Sequence, residues 1–388
     1  MSSDDGSSRP GQWPDSEEGG LFGDREGEAD AEQDPAPDAG PRRRGPFRRH
    51  PVLVSVVTLL VVVVVGAGGF ALYLNSQLDD VGRVGLGSLP EAGRPPALQT
   101  EAVTILLGGV DEGDGRSLEE IAAGGWEPGV VRSDTIMVVH LTADREQAYL
   151  VSIPRDSYVE IYDENGDPQG MDKINAALSL HGPAAYVSTV EHLTDLRMDH
   201  LAVVDWAGFK DITDALGGVE IDLNEGFTDP SGTTWQAGTQ VLDGEGALKY
   251  VRTRYGLPGG DLDRVARQQN FLRALRSQVL DAGTLTNPFT ATRTVKAVVR
   301  NLTVDDEFDT GQMRGLALDL AQLGGGELSF LTAPFGSFGT TGAGASIVRL
   351  DAAQSDALWT AVAEDDIDGY LRRYAGEAGR LPAPSEVN

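Results

Sequence analysis

The 388-residue chain contains no cysteine, which excludes disulfide bonds, thiolate nucleophiles and cysteine-ligated zinc. Basic charge is scarce: 31 Lys and Arg face 60 Asp and Glu, for a formal net charge of −29. A field of that sign repels nucleic acid, so any anion site has to be a local concentration of arginine. Nucleophile and nucleotide signatures are also missing. The glycines of "GGVDEGDG" are followed by no Gly-Lys-Ser/Thr and lack the Gly-x-Gly-x-x-Gly spacing, which excludes a Walker loop and a dinucleotide fold. His140, His181, His192 and His200 have neither metal-ligand spacing nor a serine partner, so they read as core or surface residues.

What is present divides the chain into segments. Residues 1–50 are rich in Gly, Pro, Asp and Glu and end in "RRRGPFRRH"; they read as a disordered tail with too little apolar surface to offset the entropy of folding. The uncharged run "VLVSVVTLLVVVVVGAGGFALYL" then fills a span at 51–74, close to the roughly 20 residues needed to cross a bilayer. Arginines precede it and mainly acidic sequence follows, so the expected orientation is tail in the cytoplasm and working domain outside. Residues 75–99, punctuated by Gly and Pro, read as a stalk, 100–378 as the extracytoplasmic domain, and 379–388 as a loose tail.

Within the domain, "AVTILLGGV", "DTIMVVHLT", "QAYLVSIP", "HLAVVD", "VEIDL", "ELSFLTAP" and "SIVRL" are short, β-branched and bounded by turn residues, the pattern of strands. Between them lie helical patterns: "KINAALSLHGPAAYVSTVEHLT" broken at Gly182-Pro183, "WAGFKDITDAL", "DGEGALKYVRTR", "DLDRVARQQNFLRALRSQVL", "TRTVKAVVRNL", "DTGQMRGLALDLAQL" and "DAAQSDALWTAVA". The alternation predicts an α/β fold, a three-layer α/β/α sandwich around a central mixed sheet.

Polar signatures interrupt the strands at their ends. Asp111 follows the first and Asp134 precedes the second, so both belong to one sheet edge, where two carboxylates suit Mg²⁺ completed by phosphate oxygens. A solitary Asp in such a loop is more often a turn residue. Arg116, Arg132, Arg155, Arg252, Arg254, Arg264 and Arg267 also sit at or near predicted element ends. Guanidinium groups grip phosphate bidentately, although any one arginine could serve a surface ion pair worth under about 1 kcal/mol. On the helix beginning at Asp261, Arg264, Gln268 and Phe271 share one face, while Leu262, Val265, Leu272 and Leu275 form a separate burying face.

The ordered motifs "RSDTIMVV", "VSIPRDSYVEI", "KINAAL", "GGVEIDL", "LDGEGALKYVRTR" and "GDLDRVARQQNFL", after an amino-terminal span, resemble the LytR-CpsA-Psr family of cell-wall glycopolymer ligases, most strongly over residues 100–282. The resemblance implies a membrane-anchored enzyme with a hydrophobic lipid-binding tunnel. Such an enzyme transfers a glycopolymer from polyprenyl pyrophosphate to peptidoglycan as a phosphodiester, with Mg²⁺, or alternatively Mn²⁺, as cofactor. Residue by residue, it implies that Asp111 and Asp134 hold the metal. Arg116, Arg132, Arg155, Lys173, Asn175, Arg252, Arg254, Arg264 and Gln268 would surround the pyrophosphate, and Asp134, Arg155 and Arg254 would be catalytic. Asp134 is the expected acceptor of the attacking hydroxyl's proton, with Asp261 second. The segment between Asp111 and Arg132 is longer than the family pattern, so Arg116 matches the family's early arginine by order and not by spacing, and Asp114 competes with Asp111. The rival readings are a polyprenyl-phosphate-binding regulatory protein and a polyprenyl-pyrophosphate hydrolase. The tunnel is expected under the helices after residue 172, with its mouth beside Asp134 and Arg155.

Overall fold

The computed structural model describes residues 69–388 except 87–88, 92, 113–115, 230–231, 254–260, 282, 284–286, 324–327, 377–378, 384–385 and 388. Most of the expected span, the preceding tail, Asp114, Arg254 and the side chain of Asp261 therefore lie outside the described residues. Among those described, no helix is long and apolar enough to cross a membrane.

Seven strands form the central sheet: β1 (Gly82–Val84), β2 (Val103–Glu112), β3 (Val131–Leu141), β4 (Ala148–Ser152), β5 (His200–Asp205), β6 (Leu302–Asp305) and β7 (Leu328–Thr332). Their spatial order is β1-β6-β5-β2-β3-β4-β7. β1 with β6, β5 with β2 and β4 with β7 are parallel, and the remaining pairs are antiparallel, so the sheet is mixed. The helices among the described residues include α1 (Leu118–Gly124), α2 (Pro183–Thr194), α3 (Trp206–Ala215), α4 (Gly244–Arg252), α5 (Asp261–Leu280), α6 (Pro288–Asn301), α7 (Thr310–Gln322), α8 (Ala352–Ala363) and α9 (Ile367–Arg373), and residues 69–77 are helical as well. Five of the acidic residues are used locally: Asp205, Asp243, Asp309, Asp351 and Asp366 each accept a backbone N–H at a helix start.

Strand alternation decides what each face buries. Leu106, Val110, Ile136, Val138 and Val151 point to the side where Val187 and Val190 of α2, Leu358 and Val362 of α8 and Tyr370 of α9 complete one core. Ile105, Met137, Val139 and Leu150 point the other way, against Val299 of α6, Met313 of α7 and Leu272 of α5. The sheet therefore lies between two helical layers, as expected. The antiparallel strands Val219–Leu223 and Gly238–Leu242 close a satellite core over α3, α4 and α5.

Three segments differ from the expectation. The stretch read as a stalk supplies the edge strand β1, and its Arg94 forms a buried ion pair with Glu191 of α2 (2.6 Å) while donating to the Met198 carbonyl. The tail beginning at 379 packs onto β7 through Leu381 N–H to the Phe330 carbonyl (2.9 Å), and Val387 is buried. The pattern "TRTVKAVVRNL" ends as a helix at Asn301, and "LTVD" becomes β6, a strand too short for its period to be read.

His140, fully buried on β3, lies 3.1 Å from Thr104 Oγ1 and 2.9 Å from Asp365 Oδ1. Burial lowers its pKa from the ordinary 6.5, an effect that outweighs the opposing pull of Asp365. Below that ordinary value the unfolded chain takes up a proton that the folded chain refuses. The stability His140 contributes is thus fully present above about pH 6.5 and is lost as pH falls toward the lowered value. Urea unfolding at pH 7.5 and pH 5 should reveal a smaller pH-dependent loss in His140→Gln than in the parent. Equal losses would assign the acid sensitivity elsewhere.

Candidate active site

The site edge is shaped by one residue too many. Pairing of β2 with β3 runs Gly109 with Thr135 and then Val110 with Ser133, so Asp134 is an unpaired bulge. Without it Arg132 would share a face with Ile136 and point into the α2 core. With it, Ser133 takes that position and hydrogen-bonds Tyr186, while Arg132 pairs with Asp111 on the face of α3 to α5. Gly109 makes the bulge possible: a Cβ there would meet Thr135 Cβ at 2.8 Å.

Arg155 follows β4 in a turn closed by Ser157 N–H to the Pro154 carbonyl. Its Nη1 donates to Asp134, and both side chains are mostly buried. Its Nε is buried without a hydrogen-bond acceptor among the described residues, 4.0 Å from Asp156 Oδ1. Arg252 ends α4, donates to Asp111 and lies over the ring of Trp206, 5.1 Å from its centroid, in a half-exposed cation–π contact. Arg264 and Gln268 stand one turn apart on α5 and are 2% and 6% exposed. These residues, with Asp111, Arg132, Asp134, Trp206 and Val251, line one cavity of about 390 Å³. Four guanidinium groups against two carboxylates make it a cationic spot in an acidic chain.

A second, apolar cavity of about 160 Å³ adjoins it, walled by Leu107 of β2, Phe209 and Ile212 of α3 and Leu272 and Leu275 of α5; Trp206, Val251 and Gln268 belong to both. A void of roughly 150 Å³ takes a molecule the size of benzene, so this one matches about one isoprene unit. Longer chains require α3 and α5 to separate further.

Of the residues expected around a head group, Asp111, Arg132, Asp134, Arg155, Arg252, Arg264 and Gln268 converge on the polar cavity. Lys173 and Asn175 do not line it. They brace its turn, Lys173 Nζ lying 3.0 Å from Asp156 and Asn175 N–H donating to the Arg155 carbonyl. Arg116 lies outside the lining, 3.2 Å from Glu127 on the surface of the long β2–β3 connection. Arg267 is fully buried and donates to the Thr253 carbonyl, with burial pulling its pKa down. Phe271 belongs to the satellite core, whereas Leu272 and Leu275, read as a burying face, line the apolar cavity. Sequence reasoning missed Trp206 and Val251. The available signal was position, since Trp206 opens a helix directly after a strand end and Val251 precedes Arg252.

The donor set fits a hard divalent cation. Mg²⁺ is held by one or two carboxylates, with phosphate oxygens and water supplying the rest, and Asp111 and Asp134 face the same cavity. Among the described residues no group of three acidic, His or Cys side chains is arranged for a metal, so this pair is what those residues would contribute.

Residues 88–364 match the model of the LytR_cpsA_psr family. The chain is 34% identical over 347 residues to the cell wall biosynthesis protein LcpA of Corynebacterium glutamicum, covering 80% of this chain and 65% of LcpA, so it spans slightly under two thirds of that relative. It is 32% identical over 219 residues to the polyisoprenyl-teichoic acid–peptidoglycan teichoic acid transferase TagU of Enterococcus faecalis, covering 56% of this chain and 66% of TagU. The crystal structure of B. subtilis TagV is similar with a TM-score of 0.55 at 26% identity, over 70% of this chain and 99% of TagV.

Gly109→Ala should force the bulge to shift and cost about 1–3 kcal/mol, the range for overpacking a tight site. Thermal unfolding checks this, and an unchanged Tm would mean that the bulge tolerates a side chain at its closest approach.

Proposed function

The chain belongs to the LytR-CpsA-Psr family, and from that premise we propose that it is a membrane-anchored, extracytoplasmic phosphotransferase. In this reading it moves a glycopolymer of teichoic-acid, capsule or arabinogalactan type from polyprenyl pyrophosphate onto peptidoglycan as a phosphodiester. The carrying observation is the junction of an arginine-lined cavity with an apolar one through Trp206, Val251 and Gln268. An amphiphile with a diphosphate head and an isoprenoid tail has those two needs side by side, and the name of TagU specifies a polyisoprenyl-linked polymer.

Phosphoryl transfer requires in-line positioning and charge neutralisation more than a covalent nucleophile, so a chain without cysteine can perform it. Arg132, Arg155, Arg252 and Arg264 hold the diphosphate. The buried Arg155 and Arg264 act most strongly because few waters screen them. Arg155, turning from Asp134 to the phosphate, leaves that carboxylate to take the proton of the attacking hydroxyl. The oxygen–phosphorus bond forms at the phosphate carrying the polymer, and polyprenyl monophosphate leaves with the bridging oxygen. Asp111 and Asp134 would hold Mg²⁺, which when bound neutralises phosphate oxygens.

The test is the full chain in detergent with a short-chain polyprenyl-pyrophosphoryl sugar, Mg²⁺ and wall fragments, with products read by mass spectrometry. A sugar phosphodiester on the wall supports the reading. Release of sugar phosphate to water makes the protein a hydrolase, and tight binding without turnover makes it a regulatory lipid binder.

Arg155→Ala should lower turnover by about 10²–10³, as for loss of a donor to developing oxyanion charge, and Arg155→Lys should not restore it because ammonium lacks the planar fork. Near-parental turnover in the lysine variant would refute the bidentate role. Asp134→Asn should weaken Mg²⁺ binding in calorimetric titration of the protein with a pyrophosphate analogue, and unchanged affinity would remove Asp134 from the metal site.

A further inference from the structure

Four exposed apolar side chains share one end of the molecule. Residues 69–77 are helical and continue directly from the uncharged run beginning at residue 52. This entering helix runs antiparallel to α7: Thr310 bonds Asp79 (2.7 Å) and Arg314 bonds Asn75 (3.0 Å), so one further turn brings Leu318 level with residue 71. It runs parallel to α6: Lys296 lies 5.7 Å from the Tyr73 ring, Asp80 shares a crevice with Arg300, and Gly82 pairs with Thr303. Phe289, seven residues before Lys296, is therefore about 10 Å farther toward the amino-terminal end of the entering helix, at 1.5 Å per residue. Leu72, Tyr73, Phe289 and Leu318 are 73%, 40%, 86% and 56% exposed.

The charge of α6 and the segment before it is the reverse of the chain's. No acidic residue occurs between Ala282 and Val304, and Phe289, Arg293, Lys296 and Arg300 follow one another at spacings of four, three and four, along one face of α6. An apolar tip followed by a cationic stripe suits a bilayer interface with anionic head groups.

We propose that Leu72, Tyr73, Phe289 and Leu318 form a collar seated in the outer-leaflet interface, presenting the apolar cavity end-on to the membrane. This rests on the membrane anchorage of the proposed function. The direction follows from α3, which is antiparallel to α6: Gly208, whose missing Cβ leaves room for Asn301, marks one end, and Ala215, whose carbonyl accepts from Arg293 Nε (2.8 Å), marks the other. The cavity follows α3 from Trp206 to Ile212, toward the collar. A lipid tail entering from the bilayer would thus bring its diphosphate to the arginines at the far end.

The absence of cysteine permits a direct test. Phe289→Cys and Glu119→Cys, the latter on the exposed surface beside Gly82, are each introduced into the full chain. Each is labelled with an environment-sensitive fluorophore and reconstituted in phosphatidylglycerol-containing vesicles. Lipids brominated near the head of the acyl chain should quench the label at 289 several-fold more than that at 119. Equal, weak quenching in chains that resist alkaline extraction would overturn the collar while leaving the anchor intact. A blue-shifted label at 289 without lipid quenching would assign the surface to a protein partner and likewise overturn it. Chains extracted at alkaline pH would remove the anchorage reading and the collar with it.

Discussion

One unpaired residue in a β-ladder decides what this sheet edge can hold. Because side chains alternate along a strand, the bulge at Asp134 changes the parity of everything before it. Ser133 fills the α2 side, and Arg132 is delivered to the α3 side opposite Asp111. A regular strand would direct that guanidinium into the apolar core, at a cost the protein could not sustain without a partner. The glycine opposite belongs to the same device, since the bulge brings Thr135 too close for any Cβ at position 109.

Once the arginines are gathered, their mutual repulsion has to be contained. Arg155 leans on Asp134 and Arg252 on Asp111 and on the face of Trp206. Such pairing keeps the cluster folded and leaves it exchangeable, because a phosphate can replace each carboxylate with equal charge and similar geometry. The turn itself is braced from outside the cavity by Asp156, Lys173 and Asn175. These residues reach the chemistry only through the position of Arg155.

The apolar side follows from ordinary packing left incomplete. Leu272 and Leu275 look like core residues on a helical wheel, yet the sheet residues beneath them include Gly109, which offers no side chain to fill the gap between α3 and α5. Absence of side-chain volume at that strand position thus contributes to the void beside the arginines. Trp206 and Val251 stand at the boundary, each with an apolar body toward one cavity and a neighbouring guanidinium in the other.

The sequence by itself determined the alternation of strands and helices, the mixed α/β layering and most of the cationic cavity, because strand-end arginines and aspartates in an apolar context are local signals. It also carried the family resemblance in six ordered motifs. It could not determine that Gly82–Val84 and the segment after residue 378 join the sheet, since pieces so short acquire order only from the strands they meet. Nor could it separate Lys173, Asn175 and Arg116, which share the composition of the site, from the residues that line it. That separation depends on the bulge register, the turn after β4 and the helix crossing of α3 with α5. The register and the crossing are long-range contacts, and the turn, though closed locally, is braced by Lys173 and Asn175 from a distant segment, so spacing along the chain does not encode them.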